Sequence, residues 1–266
     1  MTRALNLEQL RTELLQCRFG KEIIYLQQTD STQNLAQERI RLGAGEGLLI
    51  IAESQTAGRG RLGRKWHSPE GSGVYMSLVL QPRVPHRYMP QLTVVAAVAL
   101  CRSLRRLTKA DIRVKWPNDL YADHRKISGI LMESGPSGSV LGPSTAVLGV
   151  GISVNVKPEH IPEWLKDKAT SLFAVTNQEW EREKIIADFL RELEVMVDLY
   201  KSAGFGIFRT LWEVHAWRPD KPLAMRTKKG LVRGFPEAID EHGALLVRSE
   251  DGHLQVVQPG DYGIET

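Results

Sequence analysis

Apolar residues along this chain form either continuous runs or helically spaced stripes, and the runs predict β-strands. Residues 47–53 and 74–80 are mostly apolar, which is typical of strands covered on both faces. Shorter strand-like segments bounded by turn residues span residues 21–27, 112–116, 119–122, 126–133 and 146–156. These segments predict one sheet built from the first part of the chain.

Helical spacing of apolar residues predicts three main helices among these strands. One begins at Asp30 and ends before Gly43, and a second spans residues 88–107. Thr176 and Glu179 are spaced as a capping box, which predicts the start of a third, long helix. Its apolar stripe, which we interpret as a core-facing surface, comprises Ile186, Phe189, Leu190, Leu193, Val197 and Tyr200.

The pattern changes after Pro219, where short apolar strands alternate with turns about every ten residues. Such regular short strands predict a small β-barrel or sandwich. We therefore predict an α+β protein, with a mixed sheet and flanking helices in residues 1–217 and a second domain in residues 218–266.

Composition is that of an ordinary globular protein, with 266 residues, 42% hydrophobic and 25% charged. The net charge of +4 suits anionic ligands but is too small to indicate nucleic-acid binding by itself. Cys17 and Cys101 do not form the closely spaced pattern of a disulfide framework. No apolar run has the length of a membrane span or the form of a signal peptide, so we expect a cytoplasmic protein without membrane binding.

The most informative stretch of the chain is the loop of residues 58–66, with sequence Gly-Arg-Gly-Arg-Leu-Gly-Arg-Lys-Trp. Glycine lets the backbone approach a ligand closely, and the arginine guanidinium matches carboxylates and phosphates. The stretch lies between two apolar strands, where a rigid scaffold would hold a ligand-binding loop. It predicts an anion-binding loop that ends on an aromatic platform, Trp66.

Two other interpretations of this loop fit less well. Gly58, Gly60 and Gly63 match the spacing of a dinucleotide-binding fingerprint, but that fingerprint must open into a helix. Here Pro69 and Gly71 follow, and they exclude a helix interior. A nucleic-acid-binding arginine–glycine tail would normally lie in low-complexity sequence, which is absent here.

A second polar cluster combines residues 115–119 (Lys-Trp-Pro-Asn-Asp) with Lys126, which stands at the start of an apolar strand. The amide of Asn118 has both a donor and an acceptor, which suits recognition of a base edge. The ammonium of Lys126 can neutralise a phosphate. Taken singly, Asn118 can equally be a turn residue and Lys126 a solvated corner residue.

Two shorter motifs add polar or open positions. Ser31 and Thr32 offer hydroxyls and backbone N–H groups at a predicted helix start, either for an anion or polar ligand or for ordinary capping. Gly149 and Gly151 interrupt an apolar strand, which indicates a bulge, a close ligand approach or tight packing against a helix.

In this order, the motifs closely resemble those of bacterial biotin protein ligases. The matching segments are residues 30–32, 55–66, 115–119, 126–131 and 149–152, with a weaker match through residues 169–172 and 243–247. The resemblance implies that family's catalytic fold, followed by a small SH3-like C-terminal domain. It also implies two steps, in which biotin and ATP form biotinyl-5′-AMP and the biotinyl group then moves to a lysine of a biotin carboxyl carrier protein.

The resemblance assigns roles to individual residues, with Lys126 and Arg61 as the catalytic pair. The implied biotin-binding residues are Ser31, Thr32, Gln33, Gln55, Arg59, Gly60, Arg61, Lys126 and Gly129. The implied ATP-binding residues are Gly58, Arg59, Arg61, Trp66, Asn118, Asp119 and Lys126. Mg²⁺ is expected because ATP is the donor, with Asp119 as a candidate ligand.

The resemblance also implies the partners, namely the carrier protein of acetyl-CoA carboxylase, no nucleic acid, and a monomer or homodimer. Only a short segment precedes the first core strand, so we expect a ligase without operator binding. The sequence departs from the family pattern at Gln33, where asparagine is frequent, and at Ser153. A lipoate or octanoate ligase is the nearest alternative, although it is not expected to carry the arginine–glycine loop or the C-terminal barrel.

Overall fold

The computed structural model describes residues 3–82, 84–135, 145–228, 230–260 and 263–265. Within these ranges the chain forms two β-sheets, with α-helices flanking the larger one. The helices are α1 (Leu7–Glu13), α2 (Thr32–Arg41), α3 (Met89–Thr108), α4 (Leu172–Thr176), α5 (Arg182–Ala203) and α6 (Gly206–His215). Among the described helices, none has both the length and the apolar character to cross a membrane.

The larger sheet has seven strands in the order β1-β2-β3-β7-β6-β5-β4. Its strands are β1 (Glu22–Thr29), β2 (Leu48–Gln55), β3 (Gly73–Leu80), β4 (Arg113–Lys115), β5 (Asp119–Ala122), β6 (Arg125–Ser134) and β7 (Ala146–Ser153). Strands β1 and β2 are parallel, whereas the other neighbouring pairs are antiparallel. The predicted mixed sheet is therefore confirmed.

Helices cover both faces of this sheet, and alternate residues of β2 show the division. Leu49 and Ile51 join the main core with helices α1, α3 and α5, whereas Leu48 and Ile50 face α2. Strand β3 is buried along its whole length, as its apolar run predicts. Among the described helices, α2 packs against one face of the sheet through a small apolar cluster. It lies next to the strand ends that carry the polar motifs.

The smaller sheet has five antiparallel strands in the order β11-β10-β9-β8-β12. These strands are β8 (Leu223–Thr227), β9 (Gly230–Ile239), β10 (Leu245–Arg248), β11 (Leu254–Val257) and β12 (Gly263–Glu265). This arrangement is consistent with the expected SH3-like module, while the domain boundary at residue 217 stays a prediction. The buried indole N–H of Trp116 donates to the carbonyl of Gly243 at 2.9 Å and joins the two sheets.

The predicted start of the long helix was wrong. Thr176 ends α4 instead, because its hydroxyl donates to the carbonyl of Leu172 at 2.7 Å and Asn177 turns the backbone into the left-handed region (φ 53°). Helix α5 begins only at Arg182, although its apolar stripe is buried as predicted. Helix α6 was not predicted from the sequence, although its buried residues Phe208 and Trp212 lie one turn apart.

Candidate active site

The predicted site residues come from α2, β2, the 58–66 loop and strands β5 to β7, and direct contacts connect them. Thr32 at the start of α2 bonds Gln55 at the end of β2. The indole of Trp66 lies on β6 and β7, and Lys126 on β6 pairs with Asp119 on β5. These contacts place most of the sequence-predicted residues in one region of the sheet.

The N-terminus of α2 forms a buried polar corner. Ser31 is 1% exposed, and its hydroxyl has no hydrogen-bond partner among the described residues. It does not cap the helix, since no side-chain cap bond forms there. Thr32 donates its backbone N–H to Oε1 of Gln55 at 2.9 Å. A buried hydroxyl without a partner costs free energy, so this corner is suited to a polar ligand rather than to capping.

Gln55 connects this corner to the 58–66 loop. Its Nε2 donates to Oγ of Ser68 at 3.1 Å, and the Ser68 hydroxyl donates to the carbonyl of Trp66 at 3.2 Å. The loop folds back so closely that a Cβ at Gly58 would lie 2.8 Å from that same Trp66 carbonyl. Gly58 therefore allows the two ends of the loop backbone to approach each other. From the sequence, we expected the glycines of this loop to let the backbone approach a ligand.

The 58–66 loop is a compact turn and does not open into a helix. Gly60 donates its N–H to the carbonyl of Arg64 at 2.7 Å, and Arg59 and Lys65 form an isolated β-bridge. Between them, Arg61–Gly63 is a single turn of 3₁₀-helix with Leu62 in the left-handed region (φ 57°). The dinucleotide-binding interpretation of the three glycines is thereby excluded on geometry.

Trp66 lies across two glycines that are directly paired in the sheet, Gly129 on β6 and Gly151 on β7. A Cβ at Gly151 would come within 2.3 Å of the indole, and one at Gly129 would lie 3.0 Å from it. Strand β7 pairs in regular register through this region, so the glycines make room for a side chain and not for a bulge. The indole Nε1 is buried without a hydrogen-bond partner among the described residues.

Lys126 and Asp119 form the ionic centre of the site. Nζ of Lys126 lies 2.7 Å from Oδ1 of Asp119, and both side chains are partly accessible, at 29% and 22%. The same ammonium lies 5.3 Å from the centre of the Trp66 ring. Its backbone is held by Lys168, whose carbonyl accepts from the Lys126 N–H at 2.8 Å. A fixed cation that remains reachable can stabilise negative charge on a substrate.

The two loop arginines are directed to different places. Arg61 donates to Oδ1 of Asn118 at 3.0 Å and also to the carbonyl of Pro259 in the smaller sheet region. Arg59 instead pairs with Glu133 at 2.7 Å. The structure thus brings Arg61 to the turn of residues 115–119 but keeps Arg59 on the side of β6. The Asn118 amide also donates to the carbonyl of Ile130 at 2.7 Å.

Three further residues were missed as site residues. Ser68 and Ser77 bond Gln55 and Thr32, and Ser77 carried a signal as a polar residue inside the apolar run of β3. Lys115 is buried, with Nζ 3.0 Å from the Tyr121 hydroxyl and 4.9 Å from the Trp217 ring centre. Burial lowers the pKa of Lys115 to about 8. In the sequence, only the position of Lys115 within the motif of residues 115–119 indicated that it belongs to the site.

Comparisons with known proteins agree on one family. The sequence model of the Biotin/lipoate A/B protein ligase family matches residues 25–152. The bifunctional ligase/repressor BirA of Bacillus subtilis is 37% identical over 91% of this chain and 73% of its own length. The biotin–[acetyl-CoA-carboxylase] ligase of Paracoccus denitrificans is 34% identical, over 85% of this chain and 94% of its own. The structure of the Aquifex aeolicus biotin protein ligase with biotin and ATP superposes with a TM-score of 0.81, at 30% identity, covering 92% of this chain and 99% of that one.

Proposed function

Since this chain belongs to the Biotin/lipoate A/B protein ligase family, among its biotin protein ligases, we propose that it makes biotinyl-5′-AMP and passes the biotinyl group to a carrier lysine. The site supports this function through one arrangement above all. A buried polar corner at Ser31 and Thr32 is joined by contacts to a reachable cation, Lys126. The relatives and the superposed structure favour biotin over lipoate as the acid that is activated.

In the first step, a carboxylate oxygen of biotin attacks the α-phosphorus of ATP, and pyrophosphate leaves. Both reactants are anions, so the site must supply positive charge where charge builds up. Lys126 is placed for this role, because Asp119 orients its ammonium and Trp66 covers one side of it. Arg61 is the second cation of the proposal, and its bond to Asn118 holds it at the same turn. Positioning and electrostatics would provide most of the rate enhancement.

The biotin head group has a ring with two N–H groups and a carbonyl, which needs both donors and acceptors. The hydroxyls of Ser31 and Thr32 can supply both, and Gln55 holds Thr32 in place. We assign the same region to Gln33, Arg59, Gly60 and Gly129 as biotin-site residues. Of these, Arg59 would have to exchange its Glu133 partner to reach the ligand.

The nucleotide site of the proposal lies around the 58–66 loop and the turn at Asn118. Gly58, Arg59, Arg61, Trp66 and Lys126 border it on one side. Mg²⁺ would enter as the counter-ion of ATP, since Mg²⁺ is usually bound by one or two carboxylates and substrate phosphates. The carboxylate next to Lys126 can provide such a ligand. Asp119 is that carboxylate, and the described residues contain no cluster of three or more metal-ligating side chains.

In the second step, a neutral lysine of the carrier attacks the acyl carbon, and AMP leaves. The carrier proposed here is the biotin carboxyl carrier protein of acetyl-CoA carboxylase, because acetyl-CoA carboxylase is the protein in the name of the Paracoccus denitrificans ligase. A cytoplasmic location, a monomer or homodimer, and the absence of nucleic-acid binding stay predictions. The proposed function is tested by incubating the protein with biotin, MgATP and such a carrier. Mass spectrometry should show one biotinyl group on one carrier lysine, whereas an unmodified carrier would contradict the proposal.

A further inference from the structure

Gln33, the residue that departs from the family pattern, reaches from helix α2 across strand β3 to strand β7. It is 3% exposed, and its Nε2 donates to the carbonyl of Val147 at 3.2 Å. Its Oε1 accepts from the hydroxyl of Ser77 at 3.1 Å. Gly149 makes room for it, since a Cβ there would lie 2.5 Å from this oxygen. Both the nitrogen and the oxygen of the longer side chain therefore have a hydrogen-bond partner inside the protein.

These bonds have a fixed direction. A backbone carbonyl can only accept, so the amide nitrogen of Gln33 must face Val147 and its carbonyl oxygen must face Ser77. That oxygen also only accepts, so the single hydroxyl hydrogen of Ser77 is directed to Gln33. Ser77 can then offer only its lone pairs to its other neighbour, Thr32, whose Oγ1 lies 2.9 Å away.

The other neighbour of the Thr32 hydroxyl is also an acceptor. Oε1 of Gln55 lies 3.2 Å from Thr32 Oγ1 and already accepts from the Thr32 backbone N–H. In the part of the chain that the structure describes, both bonded neighbours of this hydroxyl therefore act as acceptors for its single hydrogen, and one of them takes it. The lone pairs of Thr32 Oγ1 are left for a donor on a ligand.

We propose that Gln33 and Ser77 are positioning residues that hold the Thr32 hydroxyl as an acceptor toward biotin, so that the site selects a ring with an N–H at this point. The proposal rests on the proposed function, in which Thr32 contacts the biotin head group. The adjacent Ser31 hydroxyl, buried and without a partner among the described residues, marks this corner as the place where a ligand bonds. Gln33 itself would then act through Ser77 and need not touch biotin.

The test compares the binding of biotin with that of its two cyclic carbamate analogues, in each of which one ring N–H is replaced by oxygen. Binding to the full-length protein is measured by calorimetric titration without ATP. In the wild-type protein, the analogue that presents oxygen to Thr32 places two acceptors together and should bind roughly 5- to 150-fold more weakly than biotin. Equal binding of biotin and both analogues would overturn the proposal.

Two substitutions of Gln33 then distinguish the effect of hydrogen-bond direction from the effect of side-chain packing. Gln33→Met removes the acceptor, so Ser77 is free to donate to Thr32. The Thr32 hydrogen can then go to the ring oxygen or to Gln55, which already accepts from the Thr32 backbone N–H. Biotin should then bind at most about 3-fold more tightly than the analogue that presents oxygen to Thr32. Gln33→Glu, with its buried carboxyl protonated so that it donates to the Val147 carbonyl, keeps an oxygen facing Ser77. It should keep the wild-type ratio, even if the absolute affinity falls. A purely structural role would instead leave the ratio unchanged in both variants.

A matched control is Gln37→Met on the same helix. The Gln37 amide also donates to a strand carbonyl, that of Ser134 at 2.9 Å, and the ratio should stay at the wild-type value. Loss of discrimination in Gln33→Glu, or full discrimination in Gln33→Met, would overturn the proposal while leaving the proposed function intact. Failure of the wild-type protein to bind biotin would instead contradict the proposed function itself.

Discussion

The ammonium of Lys126 lies 2.7 Å from the carboxylate of Asp119, although the two residues stand on different strands of the sheet. Strands β5 and β6 form the hairpin that brings them together. The ion pair fixes a cation that is still 29% exposed, which is what a site for anionic substrates needs.

Removal of this cation should stop the first step. We expect Lys126→Ala to reduce the rate of biotinyl-adenylate formation by about 10²- to 10³-fold or more, because no other described side chain pairs with Asp119 at this position. Single-turnover measurements with biotin and labelled ATP report this rate, and circular dichroism checks the fold. Lys168→Ala, at an exposed lysine whose backbone bonds that of Lys126, is the control. Turnover like that of the wild type in Lys126→Ala would refute the assigned role.

The loop arginine should retain the reactive intermediate. Arg61 bonds both Asn118 and Pro259, so it joins the 58–66 loop to two other segments. We expect Arg61→Gly to release biotinyl-5′-AMP about 10-fold faster or more, because a charged hydrogen-bond donor over the ligand is lost. Rapid filtration of preformed complex measures the release. Arg64→Gly, at an exposed position of the same loop, should behave like the wild type. Unchanged release from Arg61→Gly would show that Arg61 does not retain the adenylate.

Gly151 should be intolerant of a side chain because Trp66 occupies its space. Gly151→Ala places a Cβ within 2.3 Å of the indole, so the ring or the strand must move. We expect a loss of about 1–3 kcal/mol in the free energy of unfolding and about 10-fold weaker ATP binding. Gly45→Ala, at a glycine with no heavy atom within 4 Å of the added carbon, should change neither. Wild-type affinity in Gly151→Ala would mean that the indole position does not matter for the nucleotide.

The buried ion pair of Glu53 and Arg182 should dominate acid stability. Burial acts to raise the pKa of the Glu53 carboxyl, but hydrogen bonds from Arg182, Tyr25 and the Leu5 N–H outweigh it and hold this pKa below its ordinary value of 4.5. A lowered folded-state pKa contributes stability above pH 4.5 that is lost as the pH falls through the folded value.

Arg182→Ala should therefore cost about 3–5 kcal/mol at neutral pH, since it leaves a buried carboxylate unpaired, and should flatten the acid limb of the stability curve. Urea unfolding between pH 3 and 7 measures both effects. The exposed neighbour Lys184, which pairs with Glu181, provides the control, and Lys184→Ala should leave the free energy of unfolding close to the wild-type value. A similar loss in both variants would show that burial does not set the strength of the pair.

Local sequence patterns were sufficient for most strands and for the hairpin that pairs Asp119 with Lys126. Strand β5 was predicted to the residue, and the buried stripe of α5 followed from helical spacing. The start of α5 was missed because Thr176 and Glu179 satisfy the capping pattern while tertiary contacts, such as that of Asn155 with the Trp180 N–H at 2.9 Å, hold this segment differently.

Contacts between segments that are distant in the chain could not be predicted from the sequence. The bond between Gln33 and Ser77 joins a helix to a strand 44 residues away, and nothing local in either segment specifies how α2 lies on the sheet. The two glycines of β7 were recognised as openings, but what fills them became clear only when Trp66 and Gln33 were seen against them. The family resemblance indicated the role of each site residue, and the structure showed which atoms each residue contacts.

Biotin-dependent exchange of pyrophosphate into ATP decides whether this site activates biotin. The reverse of the first step returns labelled pyrophosphate to ATP only if the enzyme forms an acyl-adenylate from the added acid. We expect robust exchange with biotin and MgATP, and background exchange with lipoate or octanoate. Exchange with lipoate and none with biotin would refute the assignment of biotin as the activated acid.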